Sequence, residues 1–282
     1  MKKLIGATLL LAVAAFVSVG LANARTEPIM RSLAVGMPNW APGAPSVRVA
    51  LLSDIHLGNV AMDVGRLERI VANVNAAKPD LVLIAGDFTV GHAPDDVSER
   101  VSVLATRLAT LDAPFGVVAV LGNHDHWVSP ERIRAALANA GVVVLENQAV
   151  RRGPLTIVGV GDRFSGHDDV AQASRSAREL GGVPVVLTHS PDVIPDLPPE
   201  FTVVLAGHTH CGQFDLPWWG PVITRSPYQH GRRLFDPHYL CGVINDPGRV
   251  TVVTAGVGSG TVPLRIGAMP DWWLLTFGFD DG

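Results

Sequence analysis

VRVALLSDIH, residues 47–56, sets a short β-favouring run, Val47, Val49, Leu51 and Leu52, against an abrupt polar stop at Ser53-Asp54. A helix-like pattern follows through Leu67, Ile70, Val71 and Val74. The same order recurs downstream. Leu81 to Ala85 ends in Gly86-Asp87, and Val101, Leu104, Leu108 and Leu111 mark the next helix. Val117 to Leu121 ends in Gly122-Asn123-His124-Asp125, after which Ser129-Pro130-Glu131 opens a helix carrying Ile133 and Leu137. Leu155 to Val160 ends in Gly161-Asp162, Val183 to Leu187 in Thr188-His189, and Val203 to Ala206 in Gly207-His208-Thr209-His210. Strands alternating with helices predict a sheet layered with helices, where ligands bind outside the carboxyl ends of the strands. Those ends are where the Asp, Asn and His residues fall.

Outward from this core the pattern changes. Cys241 to Ile244 and Val250 to Thr254, separated by Asn245-Asp246-Pro247-Gly248, read as a hairpin, and Trp273 to Phe279 as a last strand. An antiparallel portion is therefore expected beside the parallel one. Upstream, residues 25–45 are rich in Pro, Gly and Asn and read as a linker, a tether or a strand leading into a domain that occupies residues 46–282. Residues 1–24 differ from the rest: Lys2 and Lys3 precede an apolar stretch from Leu4 to Leu21, closed by Ala22-Asn23-Ala24. This is the pattern of a secretory signal peptide or, left uncleaved, of a membrane anchor with its amino-terminal end in the cytoplasm. In both cases the remainder is expected outside the cytoplasm, in the periplasm or on the outer face of the membrane.

Composition narrows the class. The chain has 282 residues, 48% of them hydrophobic, enough for a large core, and its 29 Gly and 21 Pro punctuate apolar runs rather than forming repeats. A net charge of −4 and the lack of a long Lys/Arg run exclude nucleic acid as a dedicated partner. Cys211 and Cys241 are an even pair, compatible in an oxidising compartment with one disulfide and equally with two free thiols.

The strand ends offer carboxylate and imidazole at Asp54 and His56, carboxylate at Asp87, an amide oxygen at Asn123, and imidazoles at His189, His208 and His210. Mixed N and O donors without thiolate suit Zn, Mn or Fe, and two such ions can share a bridging carboxylate, for which Asp87 is the candidate. Residues two apart on an extended segment face the same way, which would aim Asp54 with His56, and His208 with His210, into one pocket. Any one of these residues alone reads as a turn, a cap or a satisfied polar group. Five strand ends of this kind in succession are not demanded by stability.

The blocks Ser53-Asp54-Ile55-His56, Gly86-Asp87, Gly122-Asn123-His124-Asp125, Thr188-His189 and Gly207-His208-Thr209-His210 resemble, in order, those of the calcineurin-like metallophosphoesterases. His208 to Gln213, and Gly256-Val257-Gly258-Ser259-Gly260 with Pro263-Leu264-Arg265, resemble the membrane-associated YkuE/YaeI-type branch. The resemblance implies a four-layer α/β/β/α sandwich of two mixed sheets. It implies one metal on Asp54, His56, Asp87 and His210 and a second on Asp87, Asn123, His189 and His208, with hydroxide between them attacking phosphorus. His124 would stabilise or protonate the leaving oxygen, with Asp125 orienting its ring. Two departures stand out: Cys211 where the branch often has Gly, which would let a thiolate or its oxidation disturb the first metal, and Thr89 after Gly86-Asp87-Phe88 where some members have a further Asp.

For the substrate, the pairs Trp218-Trp219 and Trp272-Trp273 read as residues that dock on lipid or as core and lid. A phospholipid or lipid-linked phosphodiester leads, with a UDP-linked acylated sugar as the second enzymatic reading and an exported metal-binding protein without turnover as the reading of another class. A serine hydrolase is disfavoured, since Ser53, Ser165 and Ser190 lack a Gly-x-Ser-x-Gly elbow.

Overall fold

The structure, a computed structural model, describes residues 2–278. Its first half runs α1 (Lys2–Arg25), β1 (Ile29–Gly36), β2 (Val47–Leu52), α2 (Val64–Ala76), β3 (Leu81–Ala85), α3 (Ser98–Leu108), β4 (Val117–Val120), the short α4 (Asn123–Val128), α5 (Pro130–Asn139) and β5 (Val142–Leu145). The second half runs β6 (Gln148–Arg152), β7 (Leu155–Gly159), α6 (Val170–Leu180), β8 (Val183–Leu187), β9 (Val203–Ala206), β10 (Asp215–Leu216), β11 (Gly220–Pro221), β12 (Gly242–Asp246), β13 (Arg249–Val253) and β14 (Asp271–Gly278).

Two six-stranded mixed sheets form, ordered β1-β14-β2-β3-β4-β5 and β12-β13-β9-β8-β7-β6, and β10 pairs only with β11. The period-2 alternation of each strand divides its side chains between two cores. Val49, Leu51, Leu83, Val118 and Val120 of the first sheet meet Leu155, Ile157, Val185, Leu187 and Leu205 of the second in the layer between them. Ala50, Leu52, Val82, Ile84 and Ala119 point the other way, onto the apolar stripes of α2, α3 and α5. Val158, Val186 and Val204 do the same under Ala173 and Ala177 of α6. The helices are placed by their stripes, for example Leu67, Ile70, Val71 and Val74 on α2, which starts where the Asp63 side chain accepts from Arg66 N at 2.8 Å. The result is the expected α/β/β/α sandwich.

Of the readings of residues 25–45, the strand leading into the domain is the one that residues 29–36 take. They form β1, parallel to β14 over eight residue pairs, because β14 carries hydrophobic side chains on an otherwise open edge. The folded unit therefore begins upstream of residue 46. The predicted hairpin is β12–β13, turned by Pro247-Gly248 with Gly248 at φ 78°. The predicted last strand is β14, and its expected final residue, Phe279, lies outside the described residues. The tryptophan pairs divide: Trp272 and Trp273 are buried in β14, while Trp218 and Trp219 are exposed on the β10–β11 turn.

Cys211 and Cys241 form a disulfide, with Cα atoms 4.8 Å apart, that closes the excursion between β9 and β12 over a sequence separation of 30. No thiolate is thus left to approach a metal. Closing a loop of this length constrains the unfolded chain. The double variant Cys211→Ser/Cys241→Ser is expected to lose about 3 kcal/mol of unfolding free energy in urea titration; an unchanged midpoint and slope would contradict this.

Candidate metal centre

Carboxyl ends of both sheets meet at one place. Asp54 and His56 follow β2, Asp87 follows β3, Asn123 and His124 open α4 after β4, His189 follows β8, and His208 and His210 follow β9. All are buried or nearly so. The way they converge corrects the expectation from strand parity. Asp54, His56, Asp87, His208 and His210 have φ of 53°, 48°, 57°, 70° and 50°, so each block leaves its strand through left-handed turns rather than continuing extended. This conformation costs an L-residue roughly 1–2 kcal/mol, and is held here because the turns aim the side chains inward. Gly207 is forced by the same crowding: a Cβ there would collide with Ser53 Oγ and Asp54 Oδ2.

Two groups of acceptors share one carboxylate. In the first, His210 Nε2 lies 3.2 Å from His56 Nε2 and 3.3 Å from Asp54 Oδ1, and His56 Nε2 lies 3.5 Å from Asp87 Oδ2. In the second, His189 Nε2 lies 3.1 Å from Asn123 Oδ1, 3.2 Å from His208 Nδ1 and 3.3 Å from Asp87 Oδ2. Asp87 Oδ2 faces both groups, while Oδ1 accepts from His124 N at 2.9 Å.

The residues fit a pair of cations on grounds internal to the site. His189 Nδ1 and His208 Nε2 each meet a backbone carbonyl, Ala85 O at 2.6 Å and Leu234 O at 2.8 Å. A carbonyl only accepts, so those nitrogens carry the hydrogens; the opposite nitrogen of a neutral His189 ring then faces Asn123 Oδ1 and Asp87 Oδ2 bare, and that of His208 faces His189 Nε2. Asp54 Oδ1 is buried with no hydrogen-bond partner among the described residues. Around Asp87 Oδ2, Asn123 Oδ1 and His189 Nε2, acceptors gathered without donors call for positive charge, and ligands bonded at 2.0–2.2 Å stand about 3.0–3.5 Å from one another, the spacing seen here.

Electrostatics agree. Burial, with Asp87 adding its repulsion, raises Asp54 to about 7. Burial keeps His56 neutral, near 3, and burial with the Arg265 charge holds His210 well below its ordinary value. His189 goes the other way: burial opposes protonation, but the Asp87 carboxylate outweighs it and lifts the ring well above its usual value. A proton on His189 is the metal-free answer to the same need for charge.

His124 lines the cavity, and its Nδ1 meets Gly91 O at 2.5 Å, so Nδ1 carries hydrogen and Nε2 is free. Asp125 does not orient that ring. Its carboxylate accepts from the backbone N of Gly122, Asp87 and Phe88, each at 2.9 Å, because α4 turns it back under the two loops. It fixes the β3 and β4 exits relative to one another.

Two residues carry more than their sequence context suggested. Arg265, fully buried, places Nη2 3.1 Å from His210 Nδ1 and donates to the carbonyls of Gly258, Ala255 and Ala268. Its segment was legible only as a branch motif. Asp162, at the end of β7, is buried with Oδ1 unpartnered among the described residues, and its charge favours protonation of His189 and His208. Its strand-end position was the available signal.

With this geometry in view, the likenesses to known proteins have a structural basis. A family model described as calcineurin-like phosphoesterase matches residues 47–212. The uncharacterized metallophosphoesterase YkuE of Bacillus subtilis is 29% identical over 83% of this chain and 80% of its own length. An uncharacterized metallophosphoesterase of Aquifex aeolicus is 30% identical over 83% of this chain and 86% of its own. A Danio rerio protein described as a transmembrane protein with metallophosphoesterase domain is 29% identical over 88% of this chain and 56% of its own length. These define a metal-dependent phosphoester hydrolase. The chain belongs to the calcineurin-like phosphoesterase family.

Two outcomes are expected. Asp87→Asn should reduce the bound metal measured by elemental analysis from two ions per chain to one or none; two retained ions would remove Asp87 from the bridge. Because Asp54 is raised to about 7 and must be ionised to ligate, metal binding releases its proton below that pH. His189, lifted well above its usual value, must also give up its proton to ligate, so affinity titrated from pH 8 to 5 should fall throughout and more steeply below 7, and a flat profile would contradict the assignment.

Proposed function

We propose that this hydrolase cleaves phosphodiesters carried by membrane lipids, with Asp54, His56, Asp87 and His210 holding one divalent cation and Asp87, Asn123, His189 and His208 the other. The observation that carries the hydrolytic reading is Asp87 Oδ2, which faces His56 Nε2 at 3.5 Å and His189 Nε2 at 3.3 Å. Cations of Mn, Zn or Fe type bound there would neutralise charge on the phosphoryl oxygens and lower the pKa of water. The protein's own residues do the rest. His124, tied through Nδ1 to Gly91, lines the cavity and would stabilise the leaving oxygen through its other ring nitrogen. Asp125 keeps the loops bearing Asp87 and His124 in register through its four backbone hydrogen bonds.

Two features support a lipid substrate. The cavity over the site measures about 180 Å³ and is walled by Trp127, Phe164, Phe214, Ile223 and Val262, room for a phosphoryl head group but below the size that encloses a whole drug-sized ligand. Acyl chains would stay outside. In addition, Ile5–Arg25 of α1 is long and apolar enough, by length and composition, for a membrane helix, its last residues from Gly20 on resting against the domain.

The anchor reading of α1 is favoured over a cleaved signal by its far end. Gly20 packs against Leu264, Gly20 O accepts from Arg265 N at 2.9 Å, Asn23 Nδ2 donates to Arg265 O at 3.1 Å, and Ala24 is fully buried. Cleavage after Ala24 would strip that cover. Lys2 and Lys3 would then hold the amino-terminal end in the cytoplasm and leave the domain on the outer face.

The full chain in detergent is expected to hydrolyse bis(p-nitrophenyl) phosphate, to stop on chelation, and to recover when Mn, Zn or Fe is restored. No turnover with two metals bound would instead favour a metal-binding protein. His124→Ala should keep both metals and lower kcat by about 10²–10⁴; metal loss in that variant would reassign His124 as a ligand.

A further inference from the structure

The segment between β9 and β12 walls the cavity with Phe214, Ile223 and Tyr228, yet its tip faces away from the site. At the β10–β11 turn Trp218 is 100% exposed and Trp219 86% exposed, with Leu216, Val222 and Ile223 also exposed around them. Tryptophan is seldom left in water without a use, and this turn holds two, fully outside every core.

The turn's position relative to α1 identifies what covers it. Phe214, immediately before β10, stacks on Phe16 of α1 with ring centroids 6.5 Å apart, and Asp215 N donates to Ile266 O, in the strip on which Gly20 packs. Phe16 stands four residues ahead of Gly20, about 6 Å at 1.5 Å per residue beyond the part of α1 that packs on the domain. A bilayer that receives α1 therefore reaches the root of the β10–β11 hairpin. The charge pattern suits its surface: residues 216–235 contain no Asp or Glu but three Arg, at 225, 232 and 233, all exposed. Aromatic tip and basic flank are what the interface of an anionic membrane attracts.

We propose that the hairpin from Asp215 to Pro221, with Arg225 and Arg233 behind it, is a second membrane contact that seats on anionic phospholipid and sets the mouth of the metal cavity at head-group level. The proposal rests on the lipid-phosphodiester reading above for its purpose and on the anchor reading of α1 for its placement. Phe214 and Ile223 connect the two, since they flank the hairpin and also wall the cavity.

The test uses the full chain reconstituted into phosphatidylcholine vesicles, with and without phosphatidylglycerol, with brominated acyl chains and with chelator so that no lipid turns over. Trp fluorescence should be quenched, and Trp218→Phe/Trp219→Phe should abolish most of the quenching, Trp40, Trp272 and Trp273 being buried and Trp127 half-buried in the cavity wall. Arg225→Glu/Arg233→Glu should reduce quenching in anionic vesicles to the zwitterionic level. Unchanged quenching in the Trp variant overturns the proposal; so does a Trp218/Trp219-dependent dimer, seen by sedimentation in detergent, without lipid quenching. Equal quenching with and without phosphatidylglycerol overturns the role of the arginines.

A kinetic arm separates this from the catalytic reading. Trp218→Ala/Trp219→Ala should lower hydrolysis of a fluorescent phosphodiester lipid in vesicles by about tenfold or more, as expected for loss of an interfacial anchor, while hydrolysis of bis(p-nitrophenyl) phosphate stays at the wild-type rate. Equal loss on both substrates would overturn the membrane role. Failure of the wild type on both substrates would refute the catalytic reading and leave the quenching result to decide the contact.

Discussion

The Asp87 carboxylate lies where the strand ends of two sheets, packed on one another through hydrocarbon, come together. One oxygen is fixed by the His124 backbone N, and the other faces imidazoles contributed by His56 of the first sheet and His189 of the second. A buried carboxylate is tolerated only if positive charge answers it. Burial works to raise its pKa, but His189 and the surrounding rings hold it well below the ordinary carboxylate value. The whole arrangement of strand ends can be understood as the means of assembling that answer. The hydrophobic layer between the sheets fixes their distance, and the loops bring donors from both sides to one point.

That convergence is costly in local conformation and is stabilised by hydrogen bonds that do no chemistry. Left-handed turns at Asp54, His56, Asp87, His208 and His210 are held by neighbours: Asp54 N donates to Gly86 O, His56 N to Asp87 O, and His208 N to Asp54 Oδ2. Asp271 at the start of β14 accepts from Thr254 Oγ1 and Ala255 N after β13, tying the first sheet to the loop packed against Asp54. Arg265 then links this loop region to His210 and, through its own backbone, to the end of α1. The same segment that orders a metal-site histidine also receives the apolar helix. The candidate metal site and the apolar helix are thus built on neighbouring residues.

Sequence reading succeeds where a local pattern has one physical meaning. An apolar run stopped by Gly-Asp, Gly-Asn-His-Asp or Gly-His-Thr-His could be placed at a strand's carboxyl end, and periodicity placed Leu67, Ile70, Val71 and Val74 on one helix face. It fails where the outcome depends on distant partners. Nothing local in residues 29–36 says that β14 will pair with them, and nothing in two cysteines 30 apart says that they meet. Asp125 beside His124 suggests a ring partner, yet α4 turns it toward the backbone of Gly122, Asp87 and Phe88. The two tryptophan pairs look alike as sequence, and only the fold separates the buried pair in β14 from the exposed pair on the hairpin.

The central claim, that Asp87 joins two cations, is tested most directly by anomalous diffraction from crystals of the protein grown with manganese. The account predicts two anomalous peaks about 3.5–4 Å apart, one beside His56 and His210, the other beside His189 and His208, with Asp87 Oδ2 between them. A single peak, or two peaks too far apart to share that oxygen, would contradict it.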